Sequence, residues 1–145
     1  MFANAHDLAL MLERATPPFG AAGAEAFDGL ARAALARFTT LNRIATTVRI
    51  ERTADEQALY AVQVLREGVF RSRTYALRDI VERIGSGDAF AAGTLHGALS
   101  GFDPQRAVEF AAAAACLKHS LAGDFSVASA AEIEALLRGE MALTR

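Results

Sequence analysis

The chain is short of cysteine, basic clusters and long apolar runs, and each shortage argues something out. Cys116 is its one cysteine, so no disulfide can close within the chain, and a reducing cytoplasm is the natural setting. No run of about 18 uncharged apolar residues occurs, which argues against a membrane-spanning helix. The first residues lack the basic-then-apolar order of a signal peptide. Fifteen Lys and Arg stand against seventeen Asp and Glu, a net charge of −2. With no basic run, a nucleic-acid partner held through a basic patch is not expected. His6 and His119 have no Cys/His set at zinc spacing around them. Gly-x-x-x-x-Gly-Lys-Ser/Thr is missing too, which removes a P-loop nucleotidase.

What remains is apolar and rich in alanine. Hydrophobic residues make up 52% of the 145, enough for one domain with a thin core, because alanine buries little area. Phe2-Ala3 reads as the stub of a strand. His6–Glu13 reads as a short helix with Asn4 at its N-cap. Thr16 to Gly20 breaks it. Ala24–Phe38 follows as a helix, with Phe27, Leu30, Ala31, Ala34, Leu35 and Phe38 along one stripe.

The character then turns β-branched. Ile44–Ile50 and Leu59–Leu65 read as strands, separated by a polar loop at Arg52–Glu56. Val69–Leu77 reads as a third strand, hairpin-paired to the second. Ile80-Val81 is a short extended piece. The rest reads as helix: Asp88–Leu99, then Pro104 to about Ser120 with Asp103 as cap and a first-turn proline, then Ala130–Arg138 with a Ser129/Glu132 capping box. Helices, strands, then helices predict an α/β sheet covered by helices, not a bundle.

One segment carries chemistry. Ile80-Val81 leads into Gly85-Ser86-Gly87-Asp88, and a slim helix of Ala89, Ala91, Ala92 and Gly93 begins at once. Glycines let successive amides approach a ligand. The first amides of a helix lack internal partners and sit at its positive end, so the turn predicts an anion site. Asp88 has two readings: a helix cap, or a base that takes a hydroxyl proton beside a bound phosphate. Phosphoryl transfer asks for little more than positioning, backbone charge stabilisation and one such carboxylate.

Glu82-x-x-Gly85-Ser86-Gly87-Asp88 resembles the Asp-x-x-Gly-Ala-Gly-Asp motif of the ribokinase-type (PfkB) sugar kinases. The wider stretches Glu82–Leu99 and Ala115–Ser126, with Leu117-Lys118-His119 and Gly123-Asp124, look most like that family's 2-keto-3-deoxygluconate kinases. The resemblance runs from Asn4 to Leu137. It implies the C-terminal half of a three-layer αβα ribokinase-like domain over residues 1–145, without the N-terminal strands and β lid. It also implies a mainly parallel central sheet. MgATP would be the phosphoryl donor and a sugar acid the acceptor. Asp88 would be the base, and Gly85, Ser86 and Gly87 the anion hole. Asn4 and Asp7 resemble an Asn-x-x-Glu motif that, with Glu82, organises Mg²⁺ through water. Thr47 and Arg49 would line the nucleotide site and Ala112, with its neighbours, would flank the adenine. Gly123 would lie in the loop that closes that pocket and, in some members, helps hold a monovalent cation.

Glu82 stands where the family has Asp, and Asp7 where it has Glu, so each carboxylate is displaced by about one methylene. Glu82 also reads as a solvated charge at a strand end. Lys118 and His119 read equally as nucleotide-facing or structural, His96 as a packing or surface residue, and Cys116 as a small buried one. Contacts to the sugar would come from the absent half, which implies self-association or a missing N-terminal partner. The alternatives are a fragment that at most binds nucleotide, and a kinase of a different sugar.

Overall fold

A computed structural model describes residues 1–17, 21–51 and 57–141. Part of the expected break (residues 18–20) and the whole polar loop Arg52–Glu56 lie outside the described residues. The elements in order are α1 (Ala5–Met11), α2 (Ala21–Arg37), β1 (Arg43–Glu51), β2 (Gln57–Leu65), β3 (Gly68–Arg71), β4 (Tyr75–Leu77), α3 (Ser86–Leu99), α4 (Pro104–Lys118) and α5 (Ala130–Arg138).

β2 is the centre of the sheet. It pairs β1 along its full length on one edge, and β3 and β4 on the other, all antiparallel. Among the described residues, the parallel pairing implied by the resemblance is confined to the N-terminal stub. Phe2 bridges Ala45 in parallel, Ala3 N donates to Ala45 O at 3.2 Å, and Ala45 N to Met1 O at 3.0 Å.

The expected single strand Val69–Leu77 is split. Val62 faces Arg71 and Leu59 faces Tyr75. Tyr60 and Ala61 therefore oppose three residues, Ser72, Arg73 and Thr74, which is a bulge. Ser72 secures it from both ends: its N–H donates to Ala61 O at 3.0 Å, and its Oγ accepts from Ala61 N at 2.9 Å.

Strand alternation divides the core in two. Ile44, Val62 and Val64 face α1 and α2, packing on Leu8, Phe27, Ala31 and Leu35. Ala45, Leu59, Ala61, Tyr75 and Leu77 face the other way, onto Phe90 and the buried alanines of α4. The sheet is thus covered on both faces, as the order of elements predicted.

α3 reaches α4 across small residues. A Cβ on Gly93 would lie 2.9 Å from Ala111 Cα, and one on Gly97 would lie 3.1 Å from Ala107 Cβ. The alanine run is therefore a backbone-to-backbone packing surface. Three expected caps are present: the Asn4/Asp7 capping box on α1, Asp103 with Pro104 on α4, and the Ser129/Glu132 box on α5.

Candidate active site

The predicted loop sits where α3 begins. Gly85, not Asp88, is the N-cap; it adopts a left-handed φ of 80°, and no side chain caps the helix. Asp88 therefore leaves the cap role and stands three residues in, exposed, on the first turn. The uncapped first-turn amides and the positive end of a 14-residue helix lie together at the loop, which is the arrangement an anion uses. Gly85 is required sterically as well: a Cβ there would stand 1.9 Å from Asp124 O.

Below the loop lies the C-terminal end of α4. The carbonyl of its C-cap, His119 O, accepts from Val81 N at 2.9 Å and Glu82 N at 3.4 Å. The loop thus satisfies a carbonyl at the helix end that would otherwise lack a partner. At the mouth of this segment, Asp79 bends the chain through a positive φ of 50°, a conformation Asp tolerates better than most residues.

Glu82 turns back on the same loop. Its Oε1 accepts from Arg83 N at 2.8 Å and Ile84 N at 3.0 Å. These two amides, and more weakly the charge of Lys118, hold its carboxyl below the usual range. One oxygen is left for other work. Asn4 and Asp7 are likewise half engaged: Asn4 N donates to Asp7 Oδ2 at 3.0 Å and Asp7 N to Asn4 Oδ1 at 2.9 Å. Among the described residues no three His, Cys, Asp or Glu side chains gather as a direct metal cage. A Mg²⁺ ion held through its own waters would not need such a cage.

The expected nucleotide residues are spread over three elements. Thr47 and Arg49 lie on the β1 face that carries Ala45, toward α4. Arg49 spans the gap, donating to Gln57 Oε1 at 3.0 Å and meeting His119 Nε2 at 3.1 Å. Ala112 is fully enclosed in the core. Its side chain has no surface to offer a ligand, which leaves only its α4 neighbours of the residues expected to flank a base. Ala114 is one such neighbour and lines a cavity of about 200 Å³ with Ala89, Ala92, Gly93, Ser126 and Ala128. That is less than the roughly 300–1,000 Å³ of sites that enclose a small ligand. Gly123, at φ 84°, belongs to the turn whose next residue packs on Gly85.

Lys118 and His119 resolve to structural positions. Both are buried, with Lys118 showing no exposed surface. Lys118 Nζ donates to Leu121 O at 3.1 Å. His119 Nδ1 lies 2.8 Å from Ala115 O. A carbonyl and a guanidinium cannot exchange roles, so Nδ1 carries the proton and Nε2 accepts from Arg49. Burial, and then the charges of Arg49, Lys118 and Arg83, push the imidazole pKa down against the raising effect of the Ala115 carbonyl. His96 packs on the surface, stacked on Phe110 at 4.9 Å. Cys116 is buried and its thiol is pushed far up by that burial, which leaves it inert.

The sequence pattern of the PfkB carbohydrate kinases matches residues 1–128, spanning the loop, the α4 platform and the turn at Gly123. The chain belongs to the PfkB family of carbohydrate kinases. Its fold is the α/β ribokinase-like one. A 2-dehydro-3-deoxygluconokinase of Thermotoga maritima superposes with a TM-score of 0.82 at 34% identity, over 95% of this chain and 41% of that one. A PfkB family carbohydrate kinase of Listeria grayi gives 0.81 at 28% identity, over 94% and 40%. A 2-dehydro-3-deoxygalactonokinase of Haloferax volcanii is 39% identical over 61 residues, 42% of this chain and 19% of that protein. The chain thus spans about two fifths of the solved kinases it matches. Among the described residues, no helix of this PfkB chain is long and apolar enough to cross a membrane.

Proposed function

We propose that this chain is the nucleotide-binding and phosphoryl-transfer part of an ATP-dependent kinase acting on a hydroxyl of 2-keto-3-deoxygluconate or a related sugar acid. The observation that carries this reading is the uncapped N-terminus of α3, with Gly85 forced left-handed and Asp88 exposed on the first turn. The first amides hold the phosphate being transferred, and Asp88 takes the proton of the attacking hydroxyl. Asn4, Asp7 and Glu82 would hold Mg²⁺ through its waters, and the ion would supply charge neutralisation. Thr47, Arg49, Gly123 and the α4 neighbours of Ala112 border the nucleotide. The branch of the family rests on the two dehydro-deoxy-sugar-acid kinases named above.

Residues 1–145 form one partial domain in this reading. Sugar contacts come from a further half or a second copy. A monomer mass by light scattering at high concentration removes self-association.

Calorimetric titration of MgADP and MgATP, with ADP release measured against the sugar acid, tests the assignment. Gly87 has open space where a Cβ would stand, so Gly87→Val adds bulk at the first turn of α3 without a collision at its Cβ. It should abolish one-site nucleotide binding. Asp88→Asn should keep binding and lose about 10³-fold in turnover, the scale of a positioned base. Normal turnover by Asp88→Asn removes the base. Nucleotide binding without turnover in the unsubstituted chain assigns it a binding role only.

A further inference from the structure

Beneath the loop, negative charge accumulates. α4 ends there, and a helix C-terminus carries about half a negative charge. The Leu121 and Asp124 carbonyls point into the same space: one bonds Lys118 Nζ at 3.1 Å, and the other lies 1.9 Å from where a Gly85 Cβ would be. The Glu82 carboxylate folds onto the loop from above. An anion site built over such a floor needs an opposing charge.

Arg49 and Arg83 bring positive charge to His119 nearby, and Lys118 is the side chain that reaches under Gly85 itself. Lys118 has no exposed surface, its Cε lies 3.3 Å from the Gly85 Cβ position, and its ammonium bonds the Leu121 carbonyl. A buried ammonium is costly unless its surroundings are negative, and here they are.

We infer that Lys118 is a built-in cation: its ammonium, held under Gly85 by the 121–124 turn, positions the anion loop and makes it independent of an external monovalent cation. Lys118 touches no reacting atom, so it is a positioning residue. The inference rests on reading Gly85–Asp88 as the anion loop. It adds the origin of the charge that sustains that loop.

The test compares thermal midpoints at equal chloride in choline, potassium and ethylammonium salts, for the unsubstituted chain, Lys118→Ala and Lys118→Met. The unsubstituted midpoint should be the same in choline and potassium. Lys118→Ala should fall and then recover by about 3 °C or more with ethylammonium or potassium, which fit the vacated space. Lys118→Met keeps the stem without the charge; it should fall and recover with neither. A potassium-dependent rise in the unsubstituted chain overturns the inference, because the loop then takes up an external cation despite Lys118. So does a Lys118→Met midpoint equal to the unsubstituted one, a result open to measurement even if Lys118→Ala fails to fold. MgADP titrated in the same buffers should bind the unsubstituted chain equally in potassium and choline, and Lys118→Met about tenfold more weakly. No MgADP binding by the unsubstituted chain removes the kinase reading and leaves the thermal result to decide the built-in cation.

Discussion

At Gly85 two demands coincide. The backbone needs a φ of 80°, and the Asp124 carbonyl occupies the place of a Cβ. Gly101 shares the positive φ, at 70°, but has open space around it. Comparing the two separates backbone strain from collision. Gly101→Ala should cost about 1 kcal/mol, the left-handed penalty for a side chain. Gly85→Ala should cost about 3 kcal/mol, because the 121–124 turn must also move. Urea unfolding of both variants checks this, and equal losses would remove the Asp124 contact as the cause. The need for glycine here was legible in the motif; the collision was not, because Asp124 is distant in sequence. Lys118 and His119 show the same limit. Their types gave two readings, and only burial beneath the loop chose between them.

Between elements, the closest approach is α3 on α4. Gly93 has no room for a Cβ, since Ala111 Cα would lie 2.9 Å away. Gly29, inside α2, has nothing within 4 Å. Alanine favours helix over glycine by about 1 kcal/mol, so the two substitutions should have opposite signs. Gly29→Ala should stabilise by about 0.5–1 kcal/mol. Gly93→Ala should destabilise by about 1–3 kcal/mol, because overpacking outweighs propensity. Denaturant midpoints decide it, and a stabilised Gly93→Ala would mean that the two helices separate at little cost. The bulge at Ser72 belongs to this scale too. Alternation across Val69–Leu77 suggested one strand, but the extra residue opposite Tyr60 and Ala61 is a property of pairing, which one strand's own sequence does not display.

Across the whole molecule, His119 ties three parts together: β1 through Arg49, α4 through Ala115, and the loop through Val81. Its folded pKa is pushed below the ordinary 6.5, chiefly by burial. The sign follows from linkage. Near and below 6.5 the unfolded chain binds a proton that the folded chain refuses. This contribution is fully present above about pH 6.5 and is lost as pH falls toward the folded pKa. A proton on Nε2 would also confront the Arg49 guanidinium. Urea midpoints should therefore fall between about pH 7 and 5, with a shallower slope in His119→Gln. Identical slopes would show that other groups set the acid limit.

Much was determined along the sequence. The caps at Asn4, Asp103 and Ser129, the stripe on α2, the two long strands and the Gly85–Asp88 turn are local patterns. Hydrogen bonds within a few residues and a single periodicity suffice to specify them. The tertiary structure decided the rest: which face of β1 lies on the α4 side, the enclosure of Ala112, the Glu82 carboxylate turned onto its own loop, and the α4 terminus as the platform for the site. Each of these depends on groups far apart in the chain meeting at one point. Their energies come from burial and charge at that point, which no local pattern encodes.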